Sequence, residues 1–129
     1  MPHLRISKAA ELLGVSDDTL RRWVDQGKLT AQADDAGRLG VDGVELAAFA
    51  QERANSEHPS GISARNAFEG MVTRIICDTV MSQVELQCGP YRVVALISTE
   101  AVQELGLVPG ALATARVKAT HVIVERGSA

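Results

Sequence analysis

A chain of 129 residues holds one ordinary domain or two small ones; at this size each half buries too little apolar surface to stand comfortably alone, so association between chains is expected. Hydrophobic residues make up 46% and charged residues 22%, the balance of a globular protein, and with aromatics only at Trp23, Phe49, Phe68 and Tyr91 the cores must be aliphatic. The formal charge of −3 excludes nucleic-acid binding by bulk electrostatics, which needs many lysine and arginine contacts to phosphate, and leaves only a local patch for that purpose.

No stretch approaches the roughly 18 apolar residues of a membrane span, and Met1-Pro2-His3-Leu4-Arg5 lacks the apolar run of a secretory signal. A cytoplasmic chain with no membrane partner is expected. Cys77 and Cys88 lack a metal-ligand spacing and read as small reduced core residues. His3, His58 and His121 are scattered, and no nucleophile–base pair is visible, so neither a catalytic residue nor a metal site is expected and the chain is not read as an enzyme.

From Leu4 to Arg53 the apolar spacing is helical. Ser7 suits the N-cap of a short helix with Ala10, Leu12 and Leu13 inward, ended by Gly14. Ser16 caps a second helix with Leu20, Trp23 and Val24 on one face, stopped by Gly27. Leu29 to Val41, with Asp34-Asp35-Ala36-Gly37 at its tip, fits a two-stranded wing, and Asp42 caps a third helix whose apolar side is Val44, Leu46, Ala47 and Phe49. Helix, tight turn, helix, wing, helix is a winged helix-turn-helix over residues 1–54. Polar residues with Pro59 and Gly61 make 55–61 a linker.

From residue 62 to 129 the pattern changes to short β-branched runs. Gly70–Cys77, Val80–Cys88, Tyr91–Ile97, Ala113–Lys118 and Val122–Glu125 are expected strands, with turns at Asp78-Thr79, Gly89-Pro90 and Pro109-Gly110. A helix at Thr99–Leu105, closed by Gly106, falls between the third and fourth. Five strands and one helix predict a small OB-like β-barrel, and the whole chain an α+β two-domain protein.

In the first half, a helix laid across a major groove must carry donors and charge near its N-terminus. Ser16, Thr19, Arg21 and Arg22 meet that need: Ser16 and the first amides suit a phosphate, Arg21 or Arg22 suits a guanine edge, and Lys28 and Arg38 can hold the backbone on either side. A solvated helix face is the bland alternative. The string from Ile6 to Leu29, with Ala9-Ala10-Glu11-Leu12-Leu13-Gly14-Val15-Ser16 and Thr19-Leu20-Arg21-Arg22-Trp23, resembles the helix-turn-helix of the MerR and excisionase group. It departs at the wing, where the group carries several basic residues and this chain has Ala33-Asp34-Asp35-Ala36-Gly37-Arg38. Residues 1–55 carry seven basic and nine acidic side chains, a net of −2, so affinity per module is expected to be weak and several copies are needed on one double-stranded DNA.

In the second half, Ser63, Arg65, Ser98 and Lys118 are of the types a dianionic oxyanion requires, hydroxyl donors plus positive charge, although Lys118 also suits a solvated strand edge. Ser63-Ala64-Arg65-Asn66, Gly70-x-Val72, Ala95-x-Ile97-Ser98, Leu105-Gly106-Leu107-x-x-Gly110 and Val117-Lys118-Ala119 together resemble a molbindin-type Mop, or TOBE, domain over residues 62–126. That resemblance implies a five-stranded barrel pairing by strand exchange into a dimer or higher homo-oligomer, a hexamer included, with molybdate or tungstate as ligand between subunits. Molybdenum enters only as the oxyanion. By position, Ser63 and Arg65 with backbone near Ala64 and Asn66 come from one subunit edge, and Ser98 and Lys118 with the Ala119 amide complete the cage. Two departures stand out: Ala101 in place of a frequent serine, and Asp78 in place of a frequent turn glycine. A lost hydroxyl donor costs on the order of 1 kcal/mol of binding when water does not replace it.

The two resemblances together imply a molybdate- or tungstate-responsive transcriptional regulator, similar in logic to the ModE type but with a different helix-turn-helix. The alternative is a molybdate storage or homeostasis protein whose helical domain serves assembly or protein contacts.

Overall fold

The computed structural model describes residues 2–54 and 61–127, and the chain divides into two compact units, Met1–Glu57 and His58–Ala129. Of the expected linker, residues 55–60 lie outside the described residues. Among the described residues no helix is long and apolar enough to cross a membrane.

In the first unit β1 (His3–Arg5) runs straight into α1 (Ile6–Leu13). Ser7 is inside this helix rather than at its cap: Arg5 takes the cap position without a side-chain bond, because buried Ile6 already belongs to the helical core stripe. Ile6, Ala9, Ala10 and Leu13 form that stripe at helical spacing. Leu12, expected inward, falls off it and is 56% exposed. Gly14, at φ 68°, turns the chain and returns its amide to the Ala10 and Glu11 carbonyls.

Ser16 then caps α2 (Asp17–Asp25), its Oγ accepting the Thr19 amide at 3.1 Å. Leu20 and Trp23 are buried and Val24 packs beside them, as expected. A hairpin of β2 (Ala31–Ala33) and β3 (Leu39–Asp42) follows. The sheet has a third strand that the sequence did not suggest: β1 pairs antiparallel with β3, Leu4 opposite Val41, giving the order β1-β3-β2. Gly40 permits this, since a side chain there would run into the His3 ring and the Leu4 carbonyl.

Asp42 Oδ2 accepts the Glu45 amide at 3.1 Å and starts α3 (Gly43–Arg53). Leu46 is buried and Phe49 packs on the core, with its ring centroid 5.1 Å from that of Trp23. Val44 and Ala47, expected on the apolar side, are exposed because the contacting stripe is Leu46, Phe49 and Arg53 at i, i+3 and i+7. Arg53 lies 4.5 Å over the Trp23 ring and lids that edge of the core.

The second unit is an antiparallel sheet in the order β6-β5-β4-β7 with one helix. β4 (Asn66–Cys77) is twelve residues long; its first half pairs with β7 (Leu112–Val117) and its second half with β5 (Met81–Cys88), which pairs on with β6 (Tyr91–Ser98). Between Val72 and Arg74 the register shifts by one residue. There the Val72 amide bonds the Ala111 carbonyl and its carbonyl takes the Gly110 amide, both at 2.8 Å. α4 (Thr99–Leu105), closed by Gly106 at φ 64°, sets Val102 into a core of Val72, Val84, Leu86 and Cys88.

The expected five-stranded barrel is not what the described residues form: four strands make a half-barrel. After β7 comes a 3₁₀ turn at Ala119–His121, and among the described residues Val122–Glu125 has no strand partner. Ile123 is 94% and Val124 86% exposed. Cys88 is buried as expected, but Cys77, at the end of β4, is exposed.

Fully buried Leu20 carries the contact between α2 and the rest of the first core. Leu20→Ala should cost about 2–5 kcal/mol of that unit's stability, read from the shift in denaturation midpoint of Trp23 fluorescence, with the fluorescence of the folded state unchanged.

Candidate oxyanion site and nucleic-acid interface

The register Asn66 opposite Val117 sets the start of β4 against the end of β7. Asn66 Nδ2 reinforces it by donating to the Val117 carbonyl at 3.1 Å. Ser63, Ala64, Arg65 and Asn66 therefore meet Lys118 and Ala119 at one corner of the sheet. Ser63, Arg65, Lys118 and Ala119 are exposed there, and Ala64 and Asn66 half-buried. Arg65 Nη1 donates to the Ile62 carbonyl at 3.1 Å, which folds its side chain over its own segment. Lys118 is not on β7 but directly after it, where its carbonyl accepts the His121 amide and starts the 3₁₀ turn.

Ser98 lies elsewhere. It ends β6, the opposite edge strand, paired with Met81 at the far end of β4. Within one chain the seven sequence-derived positions thus form two groups, six at one corner and Ser98 at the other. Ser98 Oγ accepts the Ala101 amide at 3.1 Å as the N-cap of α4. A hydroxyl that accepts in this way keeps its own hydrogen for another acceptor.

A network that sequence reasoning missed holds Ser98 in place. Thr99 Oγ1 donates to the Asp78 carbonyl and meets Ser82 Oγ, each at 2.8 Å, while the Thr99 amide bonds Val80 O. Asp78, in place of a frequent turn glycine, needs no left-handed backbone: among the described residues only glycines have positive φ. Its carboxylate accepts the Met81 and Val80 amides at 2.7 and 2.8 Å, and these bonds, Met81 first, hold its pKa below the ordinary 3.8.

In the first unit a cleft of about 620 Å³ opens between α2, the start of α1 and the hairpin, lined by Arg5, Ser7, Asp17, Arg21, Asp25 and Arg38 among others. Of the expected DNA-facing residues it gathers Arg21 and Arg38. Arg22 is exposed but outside the cleft, and Lys28 is exposed past Gly27. Ser16 and Thr19 bond each other, Oγ to Oγ1 at 3.0 Å, so one of the two hydroxyl hydrogens is used at the helix start and the other stays available. Arg38 Nε sits 3.6 Å from Asp34 Oδ2. The Asp34 carboxylate also accepts the Arg38 and Ala36 amides, and its pKa is lowered, chiefly by the Arg38 amide bond. Arg5 was missed in the sequence; only tertiary structure brings the residue before α1 to this cleft.

Residues 62–124 match the family described as TOBE domain, and residues 5–38 that described as MerR family regulatory protein. The chain is 39% identical over 64 residues to molybdenum-pterin-binding protein 2 of Clostridium pasteurianum and 36% identical over 64 residues to molybdenum-pterin-binding protein 1 of the same organism, spanning 49% of this chain and 94% of each relative. A solved structure of a molybdate binding protein from Sporomusa ovata is 40% identical, covering 50% of this chain and 97% of that one, with a TM-score of 0.49. Through its second unit, the chain belongs to the TOBE-domain family.

Since the folded pKa of Asp78 is depressed, the stability it contributes is present above its unfolded value near 3.8 and is lost as pH falls through the lower folded value. Asp78→Asn keeps an acceptor but cannot titrate. Its unfolding midpoint should depend less steeply on pH below 4 than that of the unsubstituted protein, as followed by circular dichroism in urea.

Proposed function

We propose that the chain is a molybdate- or tungstate-responsive transcriptional regulator. Its second unit, residues 62–129, binds the oxyanion between chains of a homo-oligomer, and its first, residues 1–54, is a winged helix-turn-helix that binds double-stranded DNA. The split of the oxyanion residues into two corners of one sheet carries the ligand half of this reading. Ser63, Arg65 and Lys118, with backbone at Ala64, Asn66 and Ala119, offer cations and donors at one corner, while Ser98 offers a hydroxyl at the other; a second chain is needed to bring the two together. Kinship to relatives named for binding molybdenum-pterin supports a molybdenum oxyanion, and molybdate alone is the direct probe. Val122–Glu125, apolar up to Val124 and unpaired among the described residues, supplies the fifth barrel strand to a neighbouring chain in this reading.

Support for the DNA half comes from the MerR-type match, the capped α2 and the exposed Arg21, Arg22 and Lys28. Bound oxyanion would favour one arrangement of chains and so fix the spacing of their α2 helices. The pairing of Arg38 with Asp34 at the hairpin favours the second reading, a molybdate store whose first unit contacts protein rather than DNA.

Lys118→Ala should weaken molybdate binding by more than about tenfold in calorimetry, because a dianion at a partly buried site is left short of one cation. Unchanged affinity would remove Lys118 from the cage.

Replacing Arg21 and Arg22 together with alanine should leave molybdate affinity intact and abolish retention of DNA from the gene's own upstream region. Failure of the unsubstituted protein to bind that DNA at low salt, with and without molybdate, would favour the store.

A further inference from the structure

We propose that the cleft between α2 and the β2–β3 hairpin seats one backbone phosphodiester of DNA, gripped by Arg5 and Arg21 and flanked by Arg38, which leaves Arg22 for base edges. This rests on the DNA-binding reading and goes beyond it by adding Arg5 and by giving two adjacent arginines different tasks.

The division follows from helical geometry. Asp17, Arg21, Val24 and Asp25 line the cleft at i, i+4, i+7 and i+8, whereas Arg22 is turned about 100° from Arg21 and is absent from the lining. Among the described residues neither Arg5 nor Arg21 has an ion-pair partner, while Arg38 is already shared with Asp34. Two exposed arginines from different elements line one cleft with no carboxylate of the described residues in ion-pair range, which leaves their donors for an external anion.

Charge selects which anion. Arg5 and Arg21 are offset by Asp17 and Asp25, and Arg38 is shared with Asp34, so the cleft has no positive surplus to hold a dianion such as molybdate, and a monoanionic phosphodiester is the anion that two unpaired guanidinium groups can take. Five of the ten lining residues are charged, more than the small number of polar groups usual in a small-molecule pocket. Asp25 opposes the bound phosphate. It lies in the last turn of α2, where a negative charge is also unfavourable to the helix dipole, so its neutralisation does not threaten the fold.

Fluorescence anisotropy with two labelled duplexes of equal length, one from the gene's upstream region and one unrelated, tests this across a salt series. Arg5→Ala should weaken binding to both duplexes by the same factor and reduce the log–log salt slope by about one. Asp25→Asn should strengthen binding to both several-fold, a gain that misfolding cannot produce. Arg22→Ala should weaken the upstream duplex more than the unrelated one. If the unsubstituted protein binds DNA but Arg5→Ala and Asp25→Asn leave affinity and slope unchanged, the phosphate seat is wrong and the DNA reading survives. Should the unsubstituted protein bind neither duplex at low salt, the DNA reading falls and the seat with it. Calorimetric binding of inorganic phosphate that disappears in Arg5→Ala would assign the cleft to a free oxyanion and overturn the proposal.

Discussion

One strand serves two partners, and the geometry of the second unit depends on it. A straight β4 of twelve residues would outrun the six-residue β7 and the eight-residue β5 alike. The chain divides it instead, the first half bonded to β7 and the second to β5, with the register shift at Val72–Arg74 as the joint. Bulges of this kind bend a strand and increase its twist. Three bonds close the joint: two from the Val72 backbone to the Gly110–Ala111 turn, and the Thr73 hydroxyl to the Glu85 carbonyl. Gly70 just before it has no room for a side chain, which would meet the Gln87 carbonyl and Cys88 Sγ. Because the joint separates the two pairings, Asn66 and Lys118 fall at one corner and Ser98 at the other.

In the first unit the placement of charge matters more than its sum. Its net of −2 over residues 1–55 would repel DNA if spread evenly, yet three of the nine acidic side chains are tied to backbone amides. Asp42 caps α3 and Asp34 closes the hairpin; Glu45 Oε1 takes the Thr30 amide at 2.8 Å. Each carboxylate that accepts backbone amides has part of its charge compensated locally, so the field outside is less negative than the count suggests. Asp17 and Asp25 are different, since they line the cleft beside Arg5 and Arg21 and oppose an incoming anion.

Much of this was legible in the sequence where the cause is local. Ser16, Asp42, Gly14, Gly27 and Gly106 sit where caps and turns were expected, because an N-cap depends on the three residues after it and a closing glycine on the turn just before it. The errors are tertiary. β1 is three residues long with a single partly buried apolar side chain, too short for a period-two signal, and exists because β3 offers it an edge beside Gly40. Leu12, Val44 and Ala47 are apolar residues on helices, but only the partner surface decides which stripe is covered. Ser98 and Lys118 were grouped by resemblance to a cage shared between subunits, and sequence does not say which members one chain brings together; the register places them at opposite corners of one sheet. The fifth strand failed for a related reason, since Val122-Ile123-Val124 has the β-branched composition of a strand, which composition alone cannot pair.

Those three residues impose a cost that bears on the proposed assembly. Covering a fully exposed valine or isoleucine is worth roughly 1.5–3 kcal/mol, so Ile123 and Val124 together leave several kcal/mol of favourable burial unused in a single chain. Leu96 and Leu112, on the outer strands β6 and β7, are also mostly exposed, and the buried Glu85 Oε2 has no hydrogen-bond donor among the described residues. A neighbouring chain could cover this apolar surface before any ligand arrives, bringing one chain's Lys118 corner to another's Ser98. The oxyanion would then enter a site whose ordering cost is already met by chain association. Its binding energy would therefore stabilise the assembly by mass action rather than create it. On that ordering of events a ligand-dependent change in DNA binding must come from repositioning chains already associated, not from their assembly.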